Sequence, residues 1–483
     1  MNYKSLLIYT LFFQSFFLIA GQSEAKKEAK PTEMVILHIN DMHSKIDNLG
    51  KLAFLVDSLK KSHPYVFLVS AGDNFTGNPI VDMYPDPGYP LIDLMNMVGF
   101  KLSALGNHEF DLGQELHNKR RSEAKFPFIC ANMDVGSSKV KQPKPFFILK
   151  AGKEKIPVLG LIQLGENGLP DSHPSKLQGL KFVPAIEKAQ EFMRLKDKYG
   201  SLVALTHLGV EDDEPLAQKY PQIDLIIGGH SHTLIAKPMM VNNVMIVQTG
   251  SGLRSVGKTT LKVEKGKITD RNYELISLAS VKGTRADVQL AIDRYNDNEE
   301  MNKTVGIAEK AVNNDQELGC MMTDAITHQY GLDFAFQNSG GVRIPFLPAG
   351  DIKYRDIFRL DPFGNQVVEY TMTIPEIKSL ILYSFNRNKE IDFFASGMNY
   401  SVVVDETGTG VDVEIRGKTG SPVDQDKKYK VGMNSYIGAS YKFDHSDPGT
   451  ARAETTAQTL IDYLKEVKSV NYEGVKRVSV RKK

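Results

Sequence analysis

The sequence is poor in cysteine and in net charge, and each shortage excludes a class of protein. Cys130 and Cys320 are the only cysteines among 483 residues, so a small domain held together by disulfides is excluded. We expect both thiols to be free and buried, with one bridge between them as the alternative. Lysine plus arginine (59) nearly balances aspartate plus glutamate (58). No global field therefore favours a nucleic acid polymer or an anionic membrane as a partner.

The sequence has one long apolar run, and it lies at the N-terminus. Leu6 to Ala20 follows Lys4 and is followed by small residues and lysines, a pattern typical of a secretory signal peptide. The run is shorter than the roughly 20 apolar residues that span a bilayer. We predict a signal peptide over residues 1–25, with a retained interfacial anchor as the alternative. After its removal we expect no integral membrane segment, and a location in the periplasm or on the cell surface of a bacterium.

The rest of the chain predicts two α/β domains. An apolar fraction of 41% is ample for packed cores. Between Met34 and Leu275, apolar runs too short for helices alternate with amphipathic stretches, as in layered α/β proteins. The predicted strands are Met34–Ile39, Val66–Val69, Ile156–Leu161, Leu202–Leu205, Ile223–Ile227 and Met245–Gln248. We predict a first domain over residues 31–276, a connecting helix over 277–301 and a second α/β domain over 302–483.

Metal-ligand side chains follow five of the chain's β-rich segments. Alone, each has a structural explanation as a turn, a cap or a core histidine. Together, in this order between residues 41 and 232, they favour a centre for two divalent cations that share one water. The candidate ligands are Asp41, His43, Asp73, Asn107, His207, His230 and His232.

Spacing indicates how these ligands converge. Asp41 and His43 are two residues apart, as are His230 and His232, and in extended backbone such pairs lie on one face. Asp73 follows a glycine, which lets the backbone turn. A carboxylate there can bridge two cations with its two oxygens.

The order D-x-H, G-D, G-N-H-E, T-H and G-G-H-S-H resembles the calcineurin-like metallophosphoesterase domain. The segment Gly106–Asp111 narrows the resemblance to the 5′-nucleotidase family of bacteria and animals, which includes UDP-sugar hydrolases. The resemblance implies an α/β (α+β) fold: a four-layer metallophosphoesterase β-sandwich flanked by helices, joined by a connecting helix to a second α/β nucleotide-binding domain. It also implies a nucleotide as the small-molecule substrate.

The resemblance implies two divalent metal ions (Zn, Mn, Co or Mg), a bridging hydroxide that attacks phosphorus in line, and a catalytic pair. His108 would stabilise charge on the transferring phosphoryl group, and Asp111 would orient His108. The first metal would be held by Asp41, His43, Asp73 and His232. The second would be held by Asp73, Asn107, His207 and His230.

Two glycine-containing segments of the second domain, Asn338–Arg343 and Pro362–Asn365, are candidates for contact with a substrate. Alone they suit a tight turn, a surface ion pair and a core phenylalanine. The resemblance implies that Asn338, Arg343 and Asn365 contact the substrate, and that Phe363 and Tyr436 enclose the base.

Two segments depart from the family. Relatives place additional arginines shortly before the helix that opens the second domain, whereas Val312–Leu318 contains none. Relatives place a glycine-glycine-aspartate segment, whose aspartate binds ribose hydroxyls, where this chain has Gly438–Phe443. Tyr441 and Lys442 are alternative contacts there. We expect a secreted nucleotide phosphohydrolase, with a UDP-sugar, cyclic-nucleotide or sulfur-ester hydrolase as alternatives. A catalytically silent nucleotide-binding protein is a further alternative.

Overall fold

The computed structural model describes residues 30–483. The predicted signal peptide over residues 1–25 lies outside this range. Within it, every helix is too short or too polar to cross a bilayer. Cys130 and Cys320 are both free and buried, which confirms the expectation for the two thiols.

Two six-stranded sheets form the centre of the N-terminal half. The strands are β1 (Thr32–Ile39), β2 (Val66–Ser70), β3 (Leu102–Ala104), β4 (Phe128–Ile129), β5 (Met133–Asp134), β6 (Phe146–Ala151), β7 (Glu154–Ile162), β8 (Lys181–Phe182), β9 (Val203–His207), β10 (Leu225–Ile227), β11 (Met239–Val241), β12 (Val244–Val247), β13 (Ser255–Glu264) and β14 (Lys267–Ser277). One sheet has the order β14-β13-β1-β2-β3-β4 and the other β11-β12-β10-β9-β7-β6.

Helices cover the outer faces of this pair of sheets. They are α1 (Leu49–Lys60), α2 (Pro79–Asp82), α3 (Tyr89–Val98), α4 (Gln114–Glu123), α5 (Ala185–Ala189), α6 (Arg194–Tyr199), α7 (Val210–Lys219), α8 (Ala286–Asn296) and α9 (Glu299–Asn302). Single 3-10 turns lie at His108–Phe110, Pro174–Lys176, Gln190–Phe192 and Leu278–Ser280.

Alternate residues of β1 show how the layers stack. Met34 and Ile36 join a core between the two sheets, whereas Val35 and Leu37 join a core that includes α1, α3 and α8. Both faces of the strand are therefore buried, which explains why it is apolar almost throughout. A further core packs α7 against the outer face of the second sheet. The result is helix, sheet, sheet, helix, as the family resemblance implies.

The C-terminal half has its own apolar core. Its strands are β15 (Thr304–Ala308), β16 (Phe334–Asn338), β17 (Gly350–Lys353), β18 (Gln366–Met372), β19 (Phe393–Ser396), β20 (Met398–Val404), β21 (Gly410–Gly417), β22 (Tyr429–Asn434), β23 (Thr450–Thr455), β24 (Ser469–Val470) and β25 (Val478–Lys482). Its helices are α10 (Asp315–Tyr330), α11 (Tyr354–Leu360), α12 (Ile374–Asn388), α13 (Ser435–Ser440) and α14 (Thr456–Val467), with a 3-10 turn at Ser339–Gly341.

A five-stranded sheet of order β19-β16-β22-β18-β23 is the largest of the C-terminal half. Helices alternate with its strands along the chain, so the mixed α/β fold class is confirmed in both halves. Helix α8, within the segment predicted as a connection, packs through Val288 and Ile292 against the core of the N-terminal half.

Candidate metal centre and substrate cavity

The predicted metal ligands lie at the carboxyl ends of parallel strands. Strands β1, β2 and β3 run parallel in one sheet, and β9 and β10 run parallel in the other. Chains leaving these strands meet at one edge of the sandwich, where a site is expected in such folds. Asp41 follows β1, Asp73 follows β2, Asn107 follows β3, His207 ends β9, and His230 and His232 follow β10.

The backbone reaches this edge in an unusual conformation. Asp41, His43, Asp73, His230 and His232 all have positive φ, between 48° and 81°. Such values are uncommon outside glycine and cost about 1–3 kcal/mol each. The expectation that each pair lies on one face of an extended strand was therefore wrong in its geometry. The pairs converge because left-handed turns after the strands redirect the side chains.

The first group of ligands is compact. Nε2 of His232 lies 3.3 Å from Oδ1 of Asp41 and 3.0 Å from Nε2 of His43. Nε2 of His43 is 4.0 Å from the same Asp41 oxygen. These three side chains offer ligand atoms that all lie within 4.8 Å of one another.

The second group lies beside the first. Nε2 of His207 is 3.1 Å from Oδ2 of Asp73 and 3.2 Å from Oδ1 of Asn107. The same Asn107 oxygen is 3.1 Å from Nδ1 of His230. A third set, formed by His43, Asp73 and His108, links the two groups. The structure thus brings all seven predicted ligands together, with Asp73 between the two halves of the cluster.

Backbone carbonyls orient two of the imidazoles. Nδ1 of His207 lies 2.7 Å from the carbonyl oxygen of Ala71, and Nδ1 of His43 lies 3.1 Å from that of Thr76. A carbonyl accepts only an N–H, so Nδ1 carries the hydrogen in each ring. Nε2 of each ring therefore faces the carboxylates and is the nitrogen that a metal ion would take once its proton is released.

The electrostatics of the cluster suit cations. Burial lowers the pKa of His207, but the Asp73 and Asp41 carboxylates outweigh it and raise that pKa to about 10. Burial raises the pKa of Asp73, but His207 and His108 bring it well below its usual value. The buried carboxylates thus hold a positive charge at this edge. Carboxylate, amide and imidazole donors are also the set that divalent zinc, manganese, cobalt or magnesium takes, so the residues fit the expected ions.

Glu109 also supports the cluster, although it is not among the predicted site residues. Its buried carboxylate accepts hydrogen bonds from the backbone N–H groups of Asp73 (3.0 Å), Asn74 (2.8 Å) and Gly106 (2.6 Å). It therefore ties the turn after β2 to the turn after β3. Its position inside the Gly106–Asp111 segment was the available signal.

The predicted catalytic pair is in contact. A 3-10 turn brings Nδ1 of His108 to 2.6 Å from Oδ2 of Asp111, and Nε2 of His108 lies 3.9 Å from Oδ2 of Asp73. The hydroxyl of Ser172 donates to the other oxygen of Asp111 at 3.1 Å. The contact with Asp111 thus turns Nε2 of His108 toward Asp73, while His108 itself belongs to neither of the two ligand groups.

A cavity of about 370 Å³ opens beside the cluster and is lined by both halves of the chain. All five residues predicted to bind substrate line it: Asn338, Arg343, Phe363, Asn365 and Tyr436. One guanidinium nitrogen of Arg343 is 3.1 Å from Nε2 of His43. The ring of Phe363 stacks on His108 with 5.5 Å between ring centroids.

Outside the two predicted segments and Tyr436, four more residues of the C-terminal half line the cavity: Arg387, Asn388, Asp392 and Tyr441. Tyr441 was one of two alternatives for the altered segment, and the other, Lys442, is not part of the lining. Arg387 and Asp392 fall outside every motif of the sequence analysis. Packing of α12 and the turn before β19 brings them here, and short sequence patterns do not report such packing.

Two protein-family models match this chain. The calcineurin-like phosphoesterase model matches residues 34–234. The model of the 5′-nucleotidase C-terminal domain matches residues 298–443. Both matched ranges supply side chains to the cavity.

The chain belongs to the 5′-nucleotidase family.

Relatives in this family cover most of the chain. Protein UshA of Yersinia enterocolitica is 27% identical over 482 residues, which cover 85% of this chain and 86% of that protein. The trifunctional nucleotide phosphoesterase YfkN of Bacillus subtilis is 28% identical over 473 residues. The match takes in 84% of this chain but spans only about a third (32%) of YfkN.

A solved member of the family has the same fold. The 5′-nucleotidase precursor of Thermus thermophilus superimposes with a TM-score of 0.82 at 22% identity, over 93% of this chain and 99% of that one. With its phosphoesterase domain and its 5′-nucleotidase relatives, the present chain is a metal-dependent phosphoesterase.

Proposed function

We propose that the protein is a secreted 5′-nucleotidase that releases phosphate from nucleotides. The observation that carries the proposal is one cavity lined both by the two ligand groups and by a guanidinium and aromatic rings of the C-terminal half. The metal-ligand edge suits a phosphoryl group, and the opposite wall suits a nucleoside. The domain limits that accompany this proposal are residues 31–276 and 302–483, joined by 277–301.

Two divalent cations fit the cluster. The first would be held by Asp41, His43, Asp73 and His232, and the second by Asp73, Asn107, His207 and His230. When bound, such ions act as Lewis acids on phosphoryl oxygens and lower the pKa of a water.

The chain's own residues orient the substrate and stabilise developing charge. Arg343 offers a planar fork of N–H donors for the phosphoryl oxygens. His108 donates from Nε2 toward the same group, because Asp111 accepts at its Nδ1. A donor aimed at the place where charge develops stabilises the transition state more than the ground state.

The C-terminal wall would select the leaving group. Phe363 and Tyr436 present ring faces or edges to a base, while Asn338 and Asn365 offer amide groups to the sugar and phosphate. Asn338 is held by a hydrogen bond of 2.8 Å from the side chain of Asn434. The amide is therefore positioned before a ligand arrives.

A panel of substrates tests the proposal. Hydrolysis of AMP, UDP-glucose, a cyclic nucleotide and a sulfur ester is measured by chromatography of the products, on the mature protein reconstituted with Mn²⁺, Co²⁺ or Zn²⁺. We expect AMP to give the highest kcat/KM, and the protein to be recovered from the culture medium or periplasm of its host. Highest activity on UDP-glucose, the cyclic nucleotide or a sulfur ester would assign one of the alternatives. Tight nucleotide binding without turnover with any of these ions would indicate a catalytically silent binding protein.

A further inference from the structure

Arg387 lines the cavity but has no role in the proposed reaction. It lies in the last turn of α12, and its guanidinium is 4.8 Å from the centre of the Tyr441 ring. Contact with the ring fixes the plane of the guanidinium. It leaves the N–H donors at the edge of that plane free for other partners.

The two carboxylates near Arg387 already have other polar partners. Asp392 accepts hydrogen bonds from the hydroxyl of Ser339 at 2.8 Å and from that of Tyr441 at 2.6 Å. Asp171 has a carboxylate oxygen 3.7 Å from Nε2 of His230. Both acids favour the charged form of Arg387. Among residues 30–483, however, no carboxylate forms an ion pair with Arg387.

Two other half-buried arginines of the C-terminal half, Arg477 and Arg452, are paired with carboxylates. Arg477 makes two hydrogen bonds to the carboxylate of Asp324, at 2.6 and 2.7 Å. Arg452 is paired with Glu369. A guanidinium removed from water normally gains such a partner, because desolvation of the charge is costly. Arg387 lacks one and faces a cavity, so the missing partner is expected to be part of a ligand.

The position of Arg387 indicates which part of a ligand it meets. Tyr441, on which it lies, has its ring 6.2 Å from that of Tyr436, the proposed base wall. On the other side of the cavity, Arg343 is in contact with His43 at the metal edge. The cavity therefore has one arginine where the scissile phosphoryl group binds and another beside the leaving group.

We propose that Arg387 binds a second phosphate group, carried by the leaving nucleoside or nucleotide. This inference rests on the proposed function, since it takes the scissile phosphate to lie at the metal edge. A nucleoside monophosphate places its whole negative charge there and leaves Arg387 without an anion. A substrate with two phosphate groups, one on the sugar or one in a diphosphate chain, satisfies both arginines.

The test compares three substrates on the full mature protein reconstituted with Mn²⁺. They are AMP, adenosine 3′,5′-bisphosphate and ADP, with GMP as a fourth to detect recognition of the base. The variants are Arg387→Gln and Arg387→Lys. Arg294→Gln is the matched control, because Arg294 also lies over a tyrosine ring, that of Tyr295, at 5.2 Å. It is exposed and outside the cavity.

We expect Arg387→Gln to lower the ratio of kcat/KM for a two-phosphate substrate to that for AMP by about 10- to 100-fold, the effect of one charge-assisted hydrogen bond or two. Arg387→Lys should keep part of the ratio, because it keeps the charge. Arg294→Gln should leave all ratios unchanged. If the ratio falls for adenosine 3′,5′-bisphosphate, the second phosphate that Arg387 binds is on the sugar. If the ratio falls for ADP, that phosphate is in the diphosphate chain.

A binding measurement keeps the test independent of turnover and of variant folding. In EDTA, calorimetry on the unaltered protein should give a Kd for a two-phosphate nucleotide at least tenfold below that for AMP. Equal Kd values, equal losses on all substrates, or a loss confined to GMP would each overturn the inference. Absence of phosphate release from every substrate by the unaltered protein would instead refute the proposed function.

Discussion

The side chains on two sides of the cavity are positioned in different ways. One side is the metal edge, formed by the seven candidate ligands, and the other is the wall lined by the C-terminal half. At the metal edge the backbone does the positioning: five of seven ligands have positive φ, and carbonyl oxygens orient two imidazoles. At the wall, side chains position one another, as in the hydrogen bond from Tyr441 to Asp392. The metal edge is therefore shaped mainly by its backbone, and the wall mainly by contacts among its side chains.

The two regions also treat their carboxylates in opposite ways. Asp73 at the edge has its pKa brought well below the usual value by His207 and His108. Asp361, which precedes the wall residue Phe363, has its pKa raised to about 6 by burial. The carboxylate of Asp73 is thus kept charged and suited to cations, whereas the carboxyl group of Asp361 binds a proton more tightly and is mostly neutral only below about pH 6.

The largest effect is expected from Asp73→Asn. An amide cannot supply two anionic oxygens to two cations, so metal content should fall and kcat/KM should drop by about 1000-fold or more. Mass spectrometry of the dialysed protein measures the metal. Asp134→Asn, at an exposed position, is the control. Full metal occupancy in Asp73→Asn would remove this residue from the shared ligand position.

His108→Ala separates chemistry from metal binding. We expect kcat to fall by about 10²- to 10³-fold, as for loss of one transition-state donor, with metal content preserved. The prediction is contradicted if metal is lost to the same extent as in Asp73→Asn. In that case the imidazole belongs to the ligand set, as its place in a group with His43 and Asp73 would allow.

The metal edge could be predicted from sequence because each candidate ligand lies at or just after the end of a short apolar strand. Each ligand directly follows or ends a strand, so strand order alone brings Asp41, Asp73 and His207 to one place. The left-handed turns could not be predicted, since only a few per cent of non-glycine residues have positive φ, and aspartate and histidine, although enriched among them, usually do not. The spacing rule therefore singled out residues that do lie together in the structure, but through an incorrect geometry.

The wall was predicted less completely. Phe363 and Arg343 lie in glycine-containing segments and were found by motif. Arg387 and Asp392 are brought in by the packing of α12 against the core of the C-terminal half, which joins residues far apart in the sequence. No local pattern marks such residues, and a departure from the family at Gly438–Phe443 gave only an indirect signal.

Glu109→Gln tests whether the backbone of the edge depends on one side chain. The amide loses an acceptor needed by three backbone N–H groups, so the turns after β2 and β3 should loosen. We expect metal affinity to fall by about 10- to 100-fold, as for other groups that support ligands. Competition with a chelator measures it, and Glu115→Gln, at an exposed site, is the control. Unchanged affinity would mean that the edge is rigid without this carboxylate.

Phe363→Leu tests the wall. Loss of stacking on a base is worth about 1–3 kcal/mol, so KM for AMP should rise by about 5- to 150-fold. Phe346→Leu, at an exposed phenylalanine, is the control. Phe363 also stacks on His108, which gives the alternative outcome. A larger effect on kcat than on KM would show that its main role is to support the catalytic imidazole.

The smallest effect concerns the pH dependence of stability that comes from the buried carboxyl group of Asp361, which accepts a hydrogen bond from the hydroxyl of Thr456. Its pKa is about 6 in the folded protein, against 3.8 as the ordinary value. The folded state thus binds the proton more tightly, so the contribution of Asp361 to stability is complete below about pH 3.8 and is lost as pH rises through 6.

Asp361→Asn keeps a neutral group of the same shape and cannot lose a proton. Relative to the unaltered protein, the variant should therefore gain in unfolding temperature between pH 5 and pH 7, by a few degrees. Thermal unfolding of the metal-free protein at both values measures the difference. Asp351→Asn, at an exposed position, should show no such pH dependence. An equal difference at pH 5 and pH 7 would mean that Asp361 is already ionised in the fold. The wall would then hold an ionised carboxylate, as the metal edge does.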